Sequence, residues 1–279
     1  MSSVRNGRTR LSQVVLLSIL FLGGLLCVLP FIWSLLTSLM PKLQVYQFPP
    51  QMIPDPFTFD SYVKAWTTQP FARFYFNSFG VAGAVVLGQV LTSTAAAYAF
   101  ARLKFWGKET IFVAYLGTLM VPFQILVIPL FLIMRTLGWV DSYAALIVPL
   151  IGTPFGVFLI RQYYTTIPMS LDEAAEIDGA TELQIYSRII LPLSKPAIAV
   201  LSVLTFINTW NSFIWPLIVI NSTEKRTLPL AVAAFQNQYY TDWTLLMAAV
   251  ILTTIPVVII YLLAQKHLER GVAMTGLKY

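Results

Sequence analysis

Six apolar runs, each close to or beyond 20 residues, divide this chain and leave little else from which to build a core. They cover about 11–40, 74–101, 109–134, 142–162, 197–220 and 243–264. A helix needs about 20 such residues to cross a bilayer, where each backbone N–H and C=O must be satisfied within the segment. The chain therefore reads as all-α, a polytopic membrane protein with about six transmembrane helices in a single domain over 1–279. Only 11% of its residues are charged, against about 25% in a soluble domain, so no stretch remains for a separate soluble unit.

The first run follows the basic residues Arg5, Arg8 and Arg10. It exceeds the apolar core of a signal peptide, about 7–15 residues, and reads as an uncleaved span with residues 1–10 in the cytosol. Counting charges supports that orientation. With six spans, twelve of the 18 Lys and Arg fall inside: Arg5, Arg8, Arg10, Arg102, Lys104, Lys108, Arg161, Arg188, Lys195, Lys266, Arg270 and Lys278. Lys42, Lys64, Arg73, Arg135, Lys225 and Arg226 fall outside, in accord with the positive-inside rule. Both termini, including the tail 265–279, are then cytosolic, and 41–73 is an external loop. Pro49, Pro50, Pro54 and Pro56 make the front of that loop irregular. Its aromatic residues, Tyr46, Phe48, Phe57, Phe59, Tyr62 and Trp66, suit either a membrane interface or an external partner.

The net charge of +6 is scattered, not gathered on one face, which argues against nucleic acid as a partner. Cys27 is the only cysteine and lies inside the first run, and the only histidine, His267, has no acidic or cysteine cluster near it in sequence. No catalytic or metal-binding residue is expected. Within the runs, Gly80, Gly83, Gly88, Ala95, Ala96 and Ala97 should let helices approach closely. Asn77, Gln89, Thr92 and Ser93 either line a path or bond between helices. Pro122 and Pro129 should bend the third run, and Gly152, Pro154 and Gly156 should break the fourth. Such breaks are tolerated only inside protein or beside a wet cavity.

The most sharply punctuated polar stretch is 170–192, SLDEAAEIDGATELQIYSRIILP, in the cytosolic loop 164–196 between the fourth and fifth spans. Ser170 with Glu173 fits a capping box, Gly179 a left-handed stop, Thr181 with Gln184 a second capping box, and Pro192 an end. Leu171, Ala174 and Ala175 should form a small apolar stripe, with Asp172, Glu173 and Glu176 pointing elsewhere. That surface suits water or a basic docking groove equally well. Leu183, Tyr186, Ile189 and Ile190 form a second stripe suited to packing back on the spans.

Glu173-Ala174-Ala175, then Asp178-Gly179-Ala180, then Ile189 with Leu191-Pro192, resemble the EAA loop of bacterial ABC importer permeases, in particular carbohydrate importers of the maltose type. Asn208-Thr209-Trp210-Asn211, Pro216, Thr241-Asp242-Trp243 and a tail with Gly271, Gly276 and Lys278 resemble the same family. Tyr186 stands where that family usually has phenylalanine, and Tyr279 where it ends in glycine. The resemblance implies a permease subunit of the bacterial cytoplasmic (inner) membrane, with core spans in 74–264, forming half of the path for a sugar or sugar-like solute. The implied partners are a second, different permease, two ATPase subunits and an extracytoplasmic binding protein.

By the same resemblance, Leu171, Asp172, Glu173, Ala174, Ala175, Asp178, Gly179 and Ala180 would couple to the ATPase. Gln236, Asn237, Gln238, Tyr239 and Tyr240 would face the binding protein. The chain has no Gly-rich phosphate loop ending in Lys-Ser/Thr, so it would bind no cofactor itself. ATP and Mg would sit on the partner ATPase, and this chain would be a transport subunit, not an enzyme. Asn208, Trp210 and Asn211 offer a sugar one indole and two amides, or else pack helices. An ion-coupled secondary transporter would usually need intramembrane acids, and none lies deep in these runs. A membrane-embedded enzyme lacks a cluster of reactive groups at that depth. A permease for a non-sugar solute such as glycerol phosphate remains an alternative.

Overall fold

A computed structural model describes residues 4–236 and 241–276, with side chains over 12–236 and 241–265. Its helices are α1 (Val4–Ser38), α2 (Asp60–Thr68), α3 (Phe71–Ala101), α4 (Lys108–Gly117), α5 (Phe123–Thr136), α6 (Tyr143–Ile147) and α7 (Pro154–Tyr164). They continue with α8 (Ser170–Ile177), α9 (Glu182–Ile185), α10 (Leu191–Leu193), α11 (Lys195–Trp210), α12 (Ile214–Val219), α13 (Leu228–Ala233) and α14 (Trp243–Gly276). No strand occurs among the described residues beyond an isolated bridge between Gln236 and Thr241. The all-α expectation holds.

Three stretches are long and apolar enough to cross a membrane unaided: Ser12–Ser38, Phe71–Ala101 and Trp243–Gln265. Three more would be bent pairs, Lys108–Met120 with Phe123–Thr136 at 99°, Tyr143–Leu150 with Pro154–Tyr164 at 42°, and Glu182–Leu193 with Lys195–Trp210 at 74°. Counting each pair as one span gives six. The breaks have local causes. Val121 is extended before Pro122, as the proline ring requires of its predecessor. Thr153 is extended before Pro154, which opens α7 where a missing N–H is harmless. Pro129, by contrast, sits inside α5 without ending it. The run expected as a fifth span over 197–220 is also interrupted, because α11 stops at Trp210 and α12 begins at Ile214.

Contacts divide the chain into two units, Met1–Gln69 with Val232–Thr254 and Pro70–Ala231 with Ile255–Tyr279. In the first, one buried amide orders the proline-rich loop. Gln44 donates from Nε2 to Gln51 Oε1 at 2.9 Å and to the Ile53 carbonyl at 2.8 Å, and its Oε1 accepts from the Asp55 N–H at 3.0 Å. Lys42 pairs with Asp242 at 3.1 Å, and the Tyr46 hydroxyl donates to the Thr241 carbonyl at 2.6 Å. Phe48, Phe57 and Phe59 stay exposed.

In the second unit α3 lies against α7 and α11, with Ala97, Ile160, Tyr164 and Leu201 in their shared core. Close approach explains two of the glycines. A Cβ on Gly88 would stand 2.5 Å from Ile151 Cγ2, and one on Gly156 would overlap the Ser93 hydroxyl. Gly80 and Gly83 have open space instead, so they serve no close packing among the described residues. A second core gathers Val85, Leu146, Trp215 and Val219, and the Trp215 indole N–H donates to the Ala145 carbonyl at 2.8 Å. Beside it Asp141 holds a left-handed conformation (φ 60°) and accepts from Ser222 N–H at 3.0 Å, Ser222 Oγ at 2.9 Å and Asn221 N–H at 3.0 Å. These bonds, the Ser222 N–H first, with Lys225 Nζ also donating at 3.3 Å, hold its carboxyl down at about 2.

Two measurements follow from this packing. Gly88→Leu should lower the thermal unfolding midpoint of the purified chain in detergent, reflecting about 1–3 kcal/mol of overpacking, whereas Gly80→Ala, which meets open space, should hold or raise it. Because the folded Asp141 carboxyl is depressed, its stabilisation is present above the ordinary carboxylate range and is lost as pH falls through about 2. The stability gap between wild type and Asp141→Asn, read by thermal unfolding against pH, should close across that window.

Candidate functional site

The stretch from Ser170 folds as two short helices about a glycine turn, but its first cap differs from expectation. Ser170 is the first residue of α8 and Met169 precedes it, with no side-chain cap. The Leu171 N–H bonds to the Pro168 carbonyl, and those of Asp172 and Glu173 to the Met169 carbonyl, so the Ser170 hydroxyl is left no free amide to satisfy. The stop is as read. Gly179 has φ +79°, Ala180 N–H reaches the Ala175 carbonyl at 2.9 Å, and Gly179 N–H reaches the Glu176 carbonyl at 3.0 Å. Those two bonds form a Schellman motif, which glycine enters without strain. The second capping box forms, with Gln184 Oε1 accepting from the Thr181 N–H at 2.8 Å. Pro192 does not end the run. A π turn over Tyr186–Ile190 widens the helix ahead of it, α10 carries the chain through the proline, and the bend comes at Ser194. Widening the ladder accommodates a ring that would clash with the carbonyl four residues back.

The faces of α8 also need correcting. Asp172 and Ala175, three residues apart, point inward and are buried, while Glu173, Ala174, Glu176, Ile177 and Asp178 are exposed. The expected stripe of Leu171, Ala174 and Ala175 is therefore split between two faces, and Asp172 does not share the outward face of Glu173 and Glu176. Ile185 and Ile190 enter the core with Tyr186 and Ile189 against it, but Leu183 is 72% exposed. Ile177 is 87% exposed, an apolar residue beside Glu176 and Asp178 that no sequence stripe included. Its mismatch with its acidic neighbours was the signal available.

Inward, the loop meets the Ala101 end of α3. Arg102 pairs with Asp172 at 3.3 Å, both side chains being under a tenth exposed, and donates to the Ile167 carbonyl at 2.9 Å. Neither Asp172 oxygen accepts a hydrogen bond among the described residues, and burial pushes its carboxyl up against the opposing pull of Arg102. The Tyr98 hydroxyl donates to Glu182 Oε2 at 2.6 Å, and the Thr94 and Tyr186 hydroxyls are bonded at 2.8 Å.

The three residues expected along a substrate path separate. Asn208 lines an open cavity of about 440 Å³ with Gln89, Phe123, Thr153, Phe155, Thr205, Thr209, Ser212 and Trp215. Trp210 is buried among Phe79, Phe206 and Tyr75, with ring centroids at 4.8, 5.4 and 6.3 Å, so its surroundings are those of a packing residue. Asn211 is exposed and is not among the residues that line the cavity. The break between α6 and α7 runs beside this cavity. Its freed carbonyls are taken from α3, Leu150 by Gln89 Nε2 at 2.7 Å and Ile151 by the Thr92 hydroxyl at 2.6 Å, while Gln89 Oε1 accepts from Thr205 at 2.7 Å. Gln236 is exposed, and Asn237, Gln238, Tyr239 and Tyr240 lie outside the described residues.

Residues 88–274 match the family model described as binding-protein-dependent transport system inner membrane component. The arabinooligosaccharides transport system permease protein of Halalkalibacterium halodurans is 34% identical over 91% of this chain and 92% of its own length. The sn-glycerol-3-phosphate transport system permease protein of Yersinia enterocolitica is 34% identical over 90% of this chain and 92% of its own. A chain of a bacterial ABC transporter involved in the import of the acidic polysaccharide alginate superposes with a TM-score of 0.82 at 26% identity, covering 92% of this chain and 96% of that one.

The two environments predict different consequences of truncation. Trp210→Ala should lose about 3–5 kcal/mol of stability, measured by thermal unfolding in detergent, while Asn208→Ala should leave unfolding unchanged.

Proposed function

The chain belongs to the family of binding-protein-dependent transport system inner membrane components, the permeases of ABC importers, and from that premise we propose how it couples and what it carries. It is a transport subunit with no catalytic activity of its own. In the proposed arrangement, both termini and the loop 164–196 are cytosolic, and α8 seats on one of two ATPase subunits that hold the ATP and Mg. A second permease completes the path, and a binding protein delivers solute from outside. Closure of the ATPases moves the loop as a rigid body and rocks the spans between two states.

The observation that carries this reading is the outward face of α8. Glu173 and Glu176 stand beside Ala174 and the bare Ile177, with the helix end fixed by the Gly179 turn. Small and apolar groups permit close seating, and two carboxylates offer charge-assisted bonds to a basic cleft. Asp172 is spent inside the chain and takes no part in that seat.

For the solute, the lining of the cavity favours a neutral carbohydrate. Amides, hydroxyls and the rings of Phe123, Phe155 and Trp215 suit a sugar, and none of its lining residues is charged to meet a phosphate or carboxylate. In proteoliposomes holding the whole transporter, radiolabelled arabinotriose should enter in preference to radiolabelled sn-glycerol-3-phosphate, and the reverse preference would overturn the neutral assignment. Glu173→Lys and Gly179→Val should each abolish ATP-driven uptake while the complex still inserts. Wild-type uptake in both variants would sink the seat on α8.

A further inference from the structure

The loop 164–196 joins α7 to α11 in sequence, yet three of its polar side chains are held by α3. Thr94 and Tyr98 of α3 and Arg102, which caps its C-terminus, are four residues apart and so share one face at the loop end. Each holds a different part of the loop. Arg102 takes Asp172 of α8, Tyr98 takes Glu182 at the start of α9, and Thr94 takes Tyr186 in the π turn. The Tyr98 and Tyr186 rings also pack, with centroids 5.2 Å apart. The ladder runs antiparallel, three rungs on one helix against both helices of the loop, so the loop cannot shift along or away from α3 without breaking them together.

The same helix is tied at two further levels. Midway along it, Gln89 and Thr92 hold the carbonyls freed by the break beside the cavity. At its far end Asn77 Nδ2 donates to the Glu224 and Arg226 carbonyls at 2.8 Å each, and Ser78 Oγ accepts from the Leu228 N–H at 2.7 Å. From Asn77 to Arg102 an α-helix rises about 38 Å, enough to carry a displacement from one membrane surface to the other.

We propose that Thr94, Tyr98 and Arg102 are positioning residues that splice the coupling loop to α3, so that displacement of α8 is delivered to α3 and through it to the broken segment beside the cavity and to residues 224–228. The inference rests on the coupling role proposed above for the loop. It differs from transmission through the connecting helices alone, in which these rungs would only add stability.

The test uses the whole transporter in proteoliposomes, with whichever of the two solutes named above the wild type imports. It reads solute molecules imported per ATP hydrolysed, alongside the amount of intact complex. Tyr98→Phe keeps the ring and removes only the bond to Glu182, and Thr94→Val removes the bond to Tyr186 together with the hydroxyl's bond to the Val90 carbonyl one turn back in the same helix. The expected result is continued ATP hydrolysis with the import ratio lowered about tenfold in Tyr98→Phe, the scale for a lost bond to a charged acceptor, and lowered in Thr94→Val. The double variant Tyr98→Phe with Glu182→Gln should be no worse than the poorer single one, because both remove the same bond. An unchanged ratio in both Tyr98→Phe and Thr94→Val, including the case where hydrolysis and uptake fall together, would overturn the splice. So would additive losses in the double variant. Wild-type uptake in both Glu173→Lys and Gly179→Val would instead overturn the coupling role on which the splice rests.

Discussion

A carbonyl freed inside a bilayer has no water to turn to, and this molecule depends on how it meets that demand. The helix interrupted between Leu150 and Pro154 leaves acceptors that its own ladder no longer serves, and Gln89 and Thr92 of α3 reach across to them. Gly88 brings the two backbones near enough for that reach, since any side chain there would collide with Ile151. The broken span, the cavity beside it and the packing of α3 against α7 are therefore one arrangement. Loss of the amide at position 89 would expose the Leu150 carbonyl and release Thr205 at once.

The loop after α7 follows the same economy with charges. Two oppositely charged side chains, each nearly removed from solvent, meet where the end of α3 faces α8. Neutralising one alone would strand the other, which is why such pairs are weak stabilisers yet damaging to break. Glu173 and Glu176 remain outside, and with Ile177 they give the loop an outer surface unlike its inner one. Acid residues adjacent in sequence thus divide between fixing the loop and presenting it.

Much of this was legible in sequence. The all-α class, the break at Gly152 and Pro154, the Gly179 turn and the box of Thr181 with Gln184 all rest on local backbone chemistry, which a sequence carries directly. What escaped depended on partners distant along the chain. Ser170 lost its capping role because Pro168 and Met169 supplied the carbonyls first. Pro192 failed to stop its helix because a π turn opened ahead of it. Asp172 looked like its neighbours until Arg102, far back in the chain, drew it inward. Trp210, which in sequence suited either a sugar platform or helix packing, is enclosed by rings from α3 and from its own helix. The glycines divided in the same way, Gly88 at a close approach and Gly80 beside open space.

The Schellman turn at Gly179, the box at Thr181 and the bonds to Tyr98 and Thr94 shape α8 and α9 through contacts within this chain. A subunit seated on the outer face of α8, as proposed above, would meet a shape already set and need not fold a segment as it arrives. Association then loses little conformational freedom from this side, and release leaves the same shape ready for the next encounter. A contact built this way suits repeated engagement and parting, with its lifetime set by the few groups at the surface and not by refolding of the loop.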